Sequence, residues 1–93
     1  MTDDAYEHDL QQVVKSLQGA GCDAFLRGEG RSRFVFAEYR GRAIEVYQDG
    51  NAVYLEFFDE GAEQASKDKR EPNYDLATQH ALAWLRQRGT MNL

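Results

Sequence analysis

Residues 33–58 read RFVFAEYRGRAIEVYQDGNAVYLEFF, three short apolar runs separated by Arg40-Gly41 and Asp49-Gly50. Asp-Gly between two alternating runs is a strong hairpin signal, because a type I′ turn needs positive φ at both central residues and both residue types tolerate it. With Asp49 and Gly50 as the loop, Val46 faces Val53, Ile44 faces Leu55, and Glu45 faces Tyr54 on the opposite side. Taking Arg40-Gly41 as a second two-residue turn sets Val35 against Val46, Ala37 against Ile44, Phe36 against Glu45 and Phe34 against Tyr47.

The two turns agree on one division of faces. A slip of one residue would carry every side chain to the other side of the sheet, so the agreement outweighs the propensity of any single run. One face carries Val35, Ala37, Ile44, Val46, Val53, Leu55 and Phe57 and is the expected core. The other mixes aromatics with Glu38, Glu45 and Glu56.

Outward from this centre, Cys22–Arg27 reads as a further strand, returned by a four-residue loop Gly28–Arg31 that sets Ala24 against Val35 and Phe25 against Phe34. Before it, Tyr6, Leu10, Val13, Val14 and Leu17 recur at helical spacing, with Thr2 as the cap, acids in the first turn and Gly19-Ala20-Gly21 as the stop. Beyond Phe58, residues 59–71 hold only Ala62 and Ala65 as apolar positions and read as a polar loop. Pro72-Asn73 then opens a second helix with Tyr74, Ala77, Ala81, Trp84 and Leu85 on one stripe, closing on Arg86, Arg88 and Gly89.

The expected architecture is α+β, a four-stranded antiparallel meander with helices at about 3–18 and 73–88 packed on its aliphatic face. Trp84 is expected in that core. Ninety-three residues make one domain, 1–93. No apolar run approaches the ~18 residues of a membrane span. Met1-Thr2-Asp3-Asp4 is acidic where an export signal would be basic and then apolar. A single cysteine fits a reducing compartment, so a cytoplasmic protein is expected. The net charge of −5 disfavours nucleic acid and anionic lipid and suits a basic partner.

Catalytic readings are weak. Cys22 with His8 or His80 as base would be an activated thiol pair, but nothing in the spacing joins them, and cysteine is commonly a small buried residue. Glu38 and Glu56, expected to flank Ala43 at roughly 10 Å, have the separation of an inverting glycosidase pair. A flat sheet without cleft walls argues against that chemistry, and the same carboxylates lack the His or Cys spacing of a metal site. Neither an enzyme nor a cofactor or metal is expected.

The outer face is the informative surface. Phe25, Phe34, Phe36, Tyr47 and Tyr54, with Glu45 among them, form a candidate partner-binding patch. One reading is a protein-interaction module, inhibitor-, immunity- or chaperone-like, which holds a basic partner or a second copy of itself. The alternative is a single-stranded nucleic-acid binder, with the aromatics as stacking platform and Arg27, Arg33 and Arg40 as phosphate contacts. Asp23, Glu38, Glu45 and Glu56 on the same face would repel a phosphate backbone.

Overall fold

The computed structural model describes residues 2–86, and side chains from residue 6 onward except that of residue 31. The order is α1 (Thr2–Gly19), β1 (Asp23–Arg27), a 3-10 turn (Gly30–Ser32), β2 (Phe34–Tyr39), β3 (Arg42–Asp49), β4 (Ala52–Phe58), β5 (Lys67–Glu71) and α2 (Tyr74–Leu85). The strands form one antiparallel sheet in chain order, β1-β2-β3-β4-β5. The fold is α+β, with five strands rather than four.

Alternation does what the sequence requires. Ala24, Val35, Ala37, Ile44, Val46, Val53, Leu55 and Phe57 are buried on one face, and α1 and α2 cover that face with Leu10, Val13, Leu17, Ala77, Ala81 and Leu85. The α1 helix lies over β1 and β2, while α2 lies over β3, β4 and β5. The α1 helix ends in a Schellman arrangement, Gly21 N–H donating to Gln18 O at 2.9 Å and Cys22 N–H to Leu17 O at 3.0 Å. Asn73 caps α2 by accepting from Leu76 N–H at 2.9 Å. The expected cap at Thr2 rests on a side chain outside those described, and Arg88-Gly89 lie outside the described residues, but α2 itself ends earlier than expected, at Leu85 with Arg86 as its C-cap.

Trp84 is half-buried, at the rim of the core. Its ring meets Phe57 at 5.4 Å between centroids and carries the Arg42 guanidinium 4.5 Å above it. Arg42 Nη1 also donates to the Trp84 carbonyl at 3.2 Å, so one arginine ties β3 to the last turn of α2.

Three corrections follow from the pairing. The β2–β3 register is as expected, with Arg40 and Gly41 both at positive φ. At the next hairpin the loop is Gly50-Asn51, not Asp49-Gly50: Asp49 pairs with Ala52, Val46 with Leu55, Ile44 with Phe57, and Glu45 with Glu56. Gly50 alone takes positive φ there, at 65°, which is the type II′ solution with glycine first. In β1–β2 the connection spans six residues around the 3-10 turn, so Ala24 meets Ala37 and Phe25 meets Phe36. Both slips are of two residues. They leave every side chain on its expected face and change only its neighbours.

The third correction is β5, in the stretch expected to be all loop. Its five residues, Lys67-Asp68-Lys69-Arg70-Glu71, are all charged, yet they pair along β4 from Phe57 to Val53. An edge strand needs only half its backbone paired, and inward-pointing charges at its rim are a common protection against unwanted strand addition. Lys67 Nζ sits 5.3 Å from both the Phe57 and Trp84 ring centroids. Glu71, buried, has His80 Nε2 at 2.9 Å and Lys69 Nζ at 3.6 Å from its Oε2, though neither is aligned as a hydrogen bond. The loop before β5 is closed by Ser66, whose hydroxyl donates to Asp59 Oδ2 at 2.8 Å.

Candidate protein-interaction face

The outer side chains of the sheet form three rows across the strands. The middle row runs Phe25, Phe36, Glu45, Glu56, Asp68, each residue directly opposite the next. Beside it, in the same registers, run Arg27, Phe34, Tyr47, Tyr54 and Arg70. The third row is Asp23, Glu38, Ala43 and Phe58. All six residues expected to bind a partner, Phe25, Phe34, Phe36, Glu45, Tyr47 and Tyr54, therefore lie together on this face.

The aromatics pair as the rows dictate. Phe25 and Phe36 lie 5.5 Å apart, and the Arg27 guanidinium stacks 4.5 Å over Phe36 and 5.5 Å over Phe25. Tyr47 and Tyr54 meet edge to face at 5.2 Å, with Arg70 5.6 Å from Tyr54. Phe25 is 44% exposed, the large hydrophobic most open to solvent among the described residues. The other aromatics of the patch are half-buried.

Glu45, Glu56 and Asp68 are three carboxylates opposite one another on adjacent strands, an arrangement that like-charge repulsion disfavours. Ion pairs among the described residues join Glu7 to Arg33, Asp49 to Arg70, and Glu71 to Lys69 and His80; none of these reaches the row. The groups of this surface are shifted first by burial or hydrogen bonding, and the carboxylate charges add to that shift. Burial, then the charge on Glu56, pushes the Glu45 carboxyl above its usual value, against a weaker pull from Arg27. Tyr47 is pushed up to about 12, by burial first and then by Glu56, Tyr54, Glu45 and Asp49. Tyr54 is raised chiefly by its hydrogen bond to Asp68.

Glu45 stands at the centre of this surface. A shallow hollow of about 300 Å³ opens on one side of it, between Phe36 and Phe58 over the small floor residue Ala43. Another, of about 280 Å³, opens on the other side, between Phe34, Tyr47 and Glu56. Two aromatic-walled depressions meeting at a carboxylate suit cationic side chains with apolar stems.

The remaining candidates disperse. Arg33 has its Nε 3.7 Å from Glu7 on α1 while also lining the hollow beside Phe34 and Tyr47, and Arg40 lies over Tyr39 at the turn, so only Arg27 of the three hairpin arginines stacks on the aromatics of the patch. Cys22 is buried beside β1, where desolvation raises its thiol, while His80 lies at the β5 edge. Glu38 and Glu56 do not flank Ala43 together, since Ala43 stands between Glu38 and Phe58. Among the described residues no group of three His, Cys, Asp or Glu is placed to hold a metal ion, and no helix is long and apolar enough to cross a membrane.

Sequence reasoning missed Asp68 and Arg70, which reach the face on β5, and it gave Glu56 the wrong neighbours. A five-residue run of charges carries no apolar alternation, so only the pairing exposes its two faces. Comparison with known proteins finds no matching family model, no similar curated protein and no matching solved structure.

Proposed function

We propose that this chain is a small acidic, non-enzymatic, cytoplasmic protein-interaction module that receives a basic protein surface on its outer sheet face, in the manner of an inhibitor, immunity protein or chaperone. The observation that carries this reading is the row Glu45–Glu56–Asp68: three carboxylates held opposite one another beside the Tyr47–Tyr54 pair. A partner that places arginine or lysine over the row relieves the repulsion, while its apolar anchors cover Phe34, Phe36 and the tyrosines. Each ~40 Å² of aromatic surface so covered contributes on the order of 1 kcal/mol before the costs of association. A phosphate backbone laid on the same face would meet the carboxylates first, which disfavours the single-stranded nucleic-acid reading.

The test is affinity capture with three folded baits: the parent, Phe36→Ser, and the double variant Glu45→Gln/Glu56→Gln. A basic chain held by the parent, released by salt and lost by both variants is the expected result. If all three baits hold the same proteins equally, the face is not the binding surface.

A further inference from the structure

The two edges of the sheet are built differently. The β5 edge is charged throughout and points Lys67 and Lys69 toward the core rim. The β1 edge, Asp23-Ala24-Phe25-Leu26-Arg27, has no inward charge and carries the exposed Phe25. Open strand edges are templates for further pairing unless they are blunted, and β5 is blunted where β1 is not.

The backbone parity of β1 follows from the hairpins. A two-residue turn at Arg40-Gly41 makes Tyr39 and Arg42 a hydrogen-bonded pair, and such pairs alternate along an antiparallel ladder. Ala37–Ile44 and Val35–Val46 are then bonded pairs, so Phe34, Phe36 and Glu38 turn their backbone groups toward β1. Their partners are Arg27, Phe25 and Asp23. Ala24 and Leu26 therefore present N–H and C=O to the open edge. In agreement, the Ala24 carbonyl accepts not from a strand but from the exposed Gln18 side chain, at 2.8 Å.

We propose that the β1 edge pairs with β1 of a second copy of this chain, antiparallel about a two-fold axis at Phe25. In that register Ala24 of each copy forms a bonded pair with Leu26 of the other, and each such pair exchanges two hydrogen bonds. On the outer face Phe25 meets Phe25, flanked on one side by Asp23 opposite Arg27 of the second copy and on the other by Arg27 opposite Asp23. The edge is thus self-complementary in charge. Shifting the pairing by one residue sets outward-facing backbone against inward-facing backbone. Shifting it by two places Asp23 or Arg27 against Phe25 and leaves the charges unmatched. Gln18 yields the Ala24 carbonyl, being a flexible and exposed side chain. The joined sheet has ten strands and aligns the two middle rows end to end, with Phe36 and Phe25 of both copies at the centre and the carboxylates at the flanks.

Charge exchange tests this in the full-length chain by light scattering over a range of concentrations. Asp23→Arg places two arginines opposite each other at both flanks, and Arg27→Asp places two aspartates there. The parent is expected at a two-chain mass and each variant at a one-chain mass. An equimolar mixture of the two variants, in which every flank is again Arg against Asp, is expected to recover the two-chain mass. Amide exchange read residue by residue distinguishes this edge from packing through the sheet face: the Leu26 N–H gains protection as the parent associates. A parent that stays at one-chain mass at its highest soluble concentration overturns the proposal. So do single variants that keep the two-chain mass, or association that leaves the Leu26 amide unprotected.

Discussion

Replacing Glu56 by Gln removes one charge and little else, because the side chain keeps its length and its hydrogen-bonding capacity. Glu56 stands directly opposite Glu45 on β3 and Asp68 on β5, so the single change cancels two like-charge contacts. Opposed charges on neighbouring strands are worth roughly 0.2–1 kcal/mol each, and their half-exposed position keeps screening effective. The sum is a gain of about 1 kcal/mol in stability, which in a domain of this size raises Tm by about 4–8 °C. Thermal melts of parent and variant measure it. The gap should narrow in concentrated salt, where the Debye length of ~3 Å at 1 M falls below the distance between neighbouring side chains. The same substitution should lower the titration midpoint of Glu45, for which Glu56 is the second-largest cause of the upward shift. A variant that melts at or below the parent, or whose advantage ignores salt, refutes the reasoning that the row is under electrostatic strain. A more stable variant that binds its partner less well would be the mark of a surface kept for recognition rather than for folding.

The pH dependence of Glu45 has a definite sign. Its folded value lies above the ordinary 4.5, so its contribution to stability is full below 4.5 and is lost as pH rises through the raised folded value. Denaturant melts of Glu45→Gln and the parent should therefore diverge in favour of the variant across that window, and parallel profiles would contradict the assignment. Trp84→Ala should cost no more than the lower part of the ~3–5 kcal/mol seen for buried aromatics, since Trp84 sits at the core rim beneath Arg42 and Lys67. A larger loss in urea melts would mean that Arg42 and the α2 helix end detach together.

Much of this molecule was legible from residues 33–58 because period-two alternation is a statement about faces, and a face once assigned survives slips of two residues. The neighbours within a face were less legible. Asp49-Gly50 and Gly50-Asn51 are both acceptable hairpin loops, and the choice between them turns a Glu45–Tyr54 contact into a Glu45–Glu56 one. The six candidate residues could be placed on one surface by face alone, whereas the acidic row depended on register. Asp68 and Arg70 lay in a strand without a hydrophobic face, which announces itself only through the hydrogen bonds it makes with β4. The Arg33–Glu7 pair was hidden for a related reason: Glu7 lies on α1, twenty-six positions earlier, and the strand pattern says nothing about helix side chains.

The charged β5 strand also bears on how far the sheet can grow. If both edges accepted strands, β1 of one molecule would pair with β5 of the next, a head-to-tail contact that regenerates a free edge at each addition and runs on into a filament. Five consecutive charges on β5 remove that half of the contact. If the β1 edges pair as proposed, only like can join like, and assembly stops at two chains. On that proposal, the all-charged β5 strand sets the upper limit on assembly at the opposite edge of the sheet.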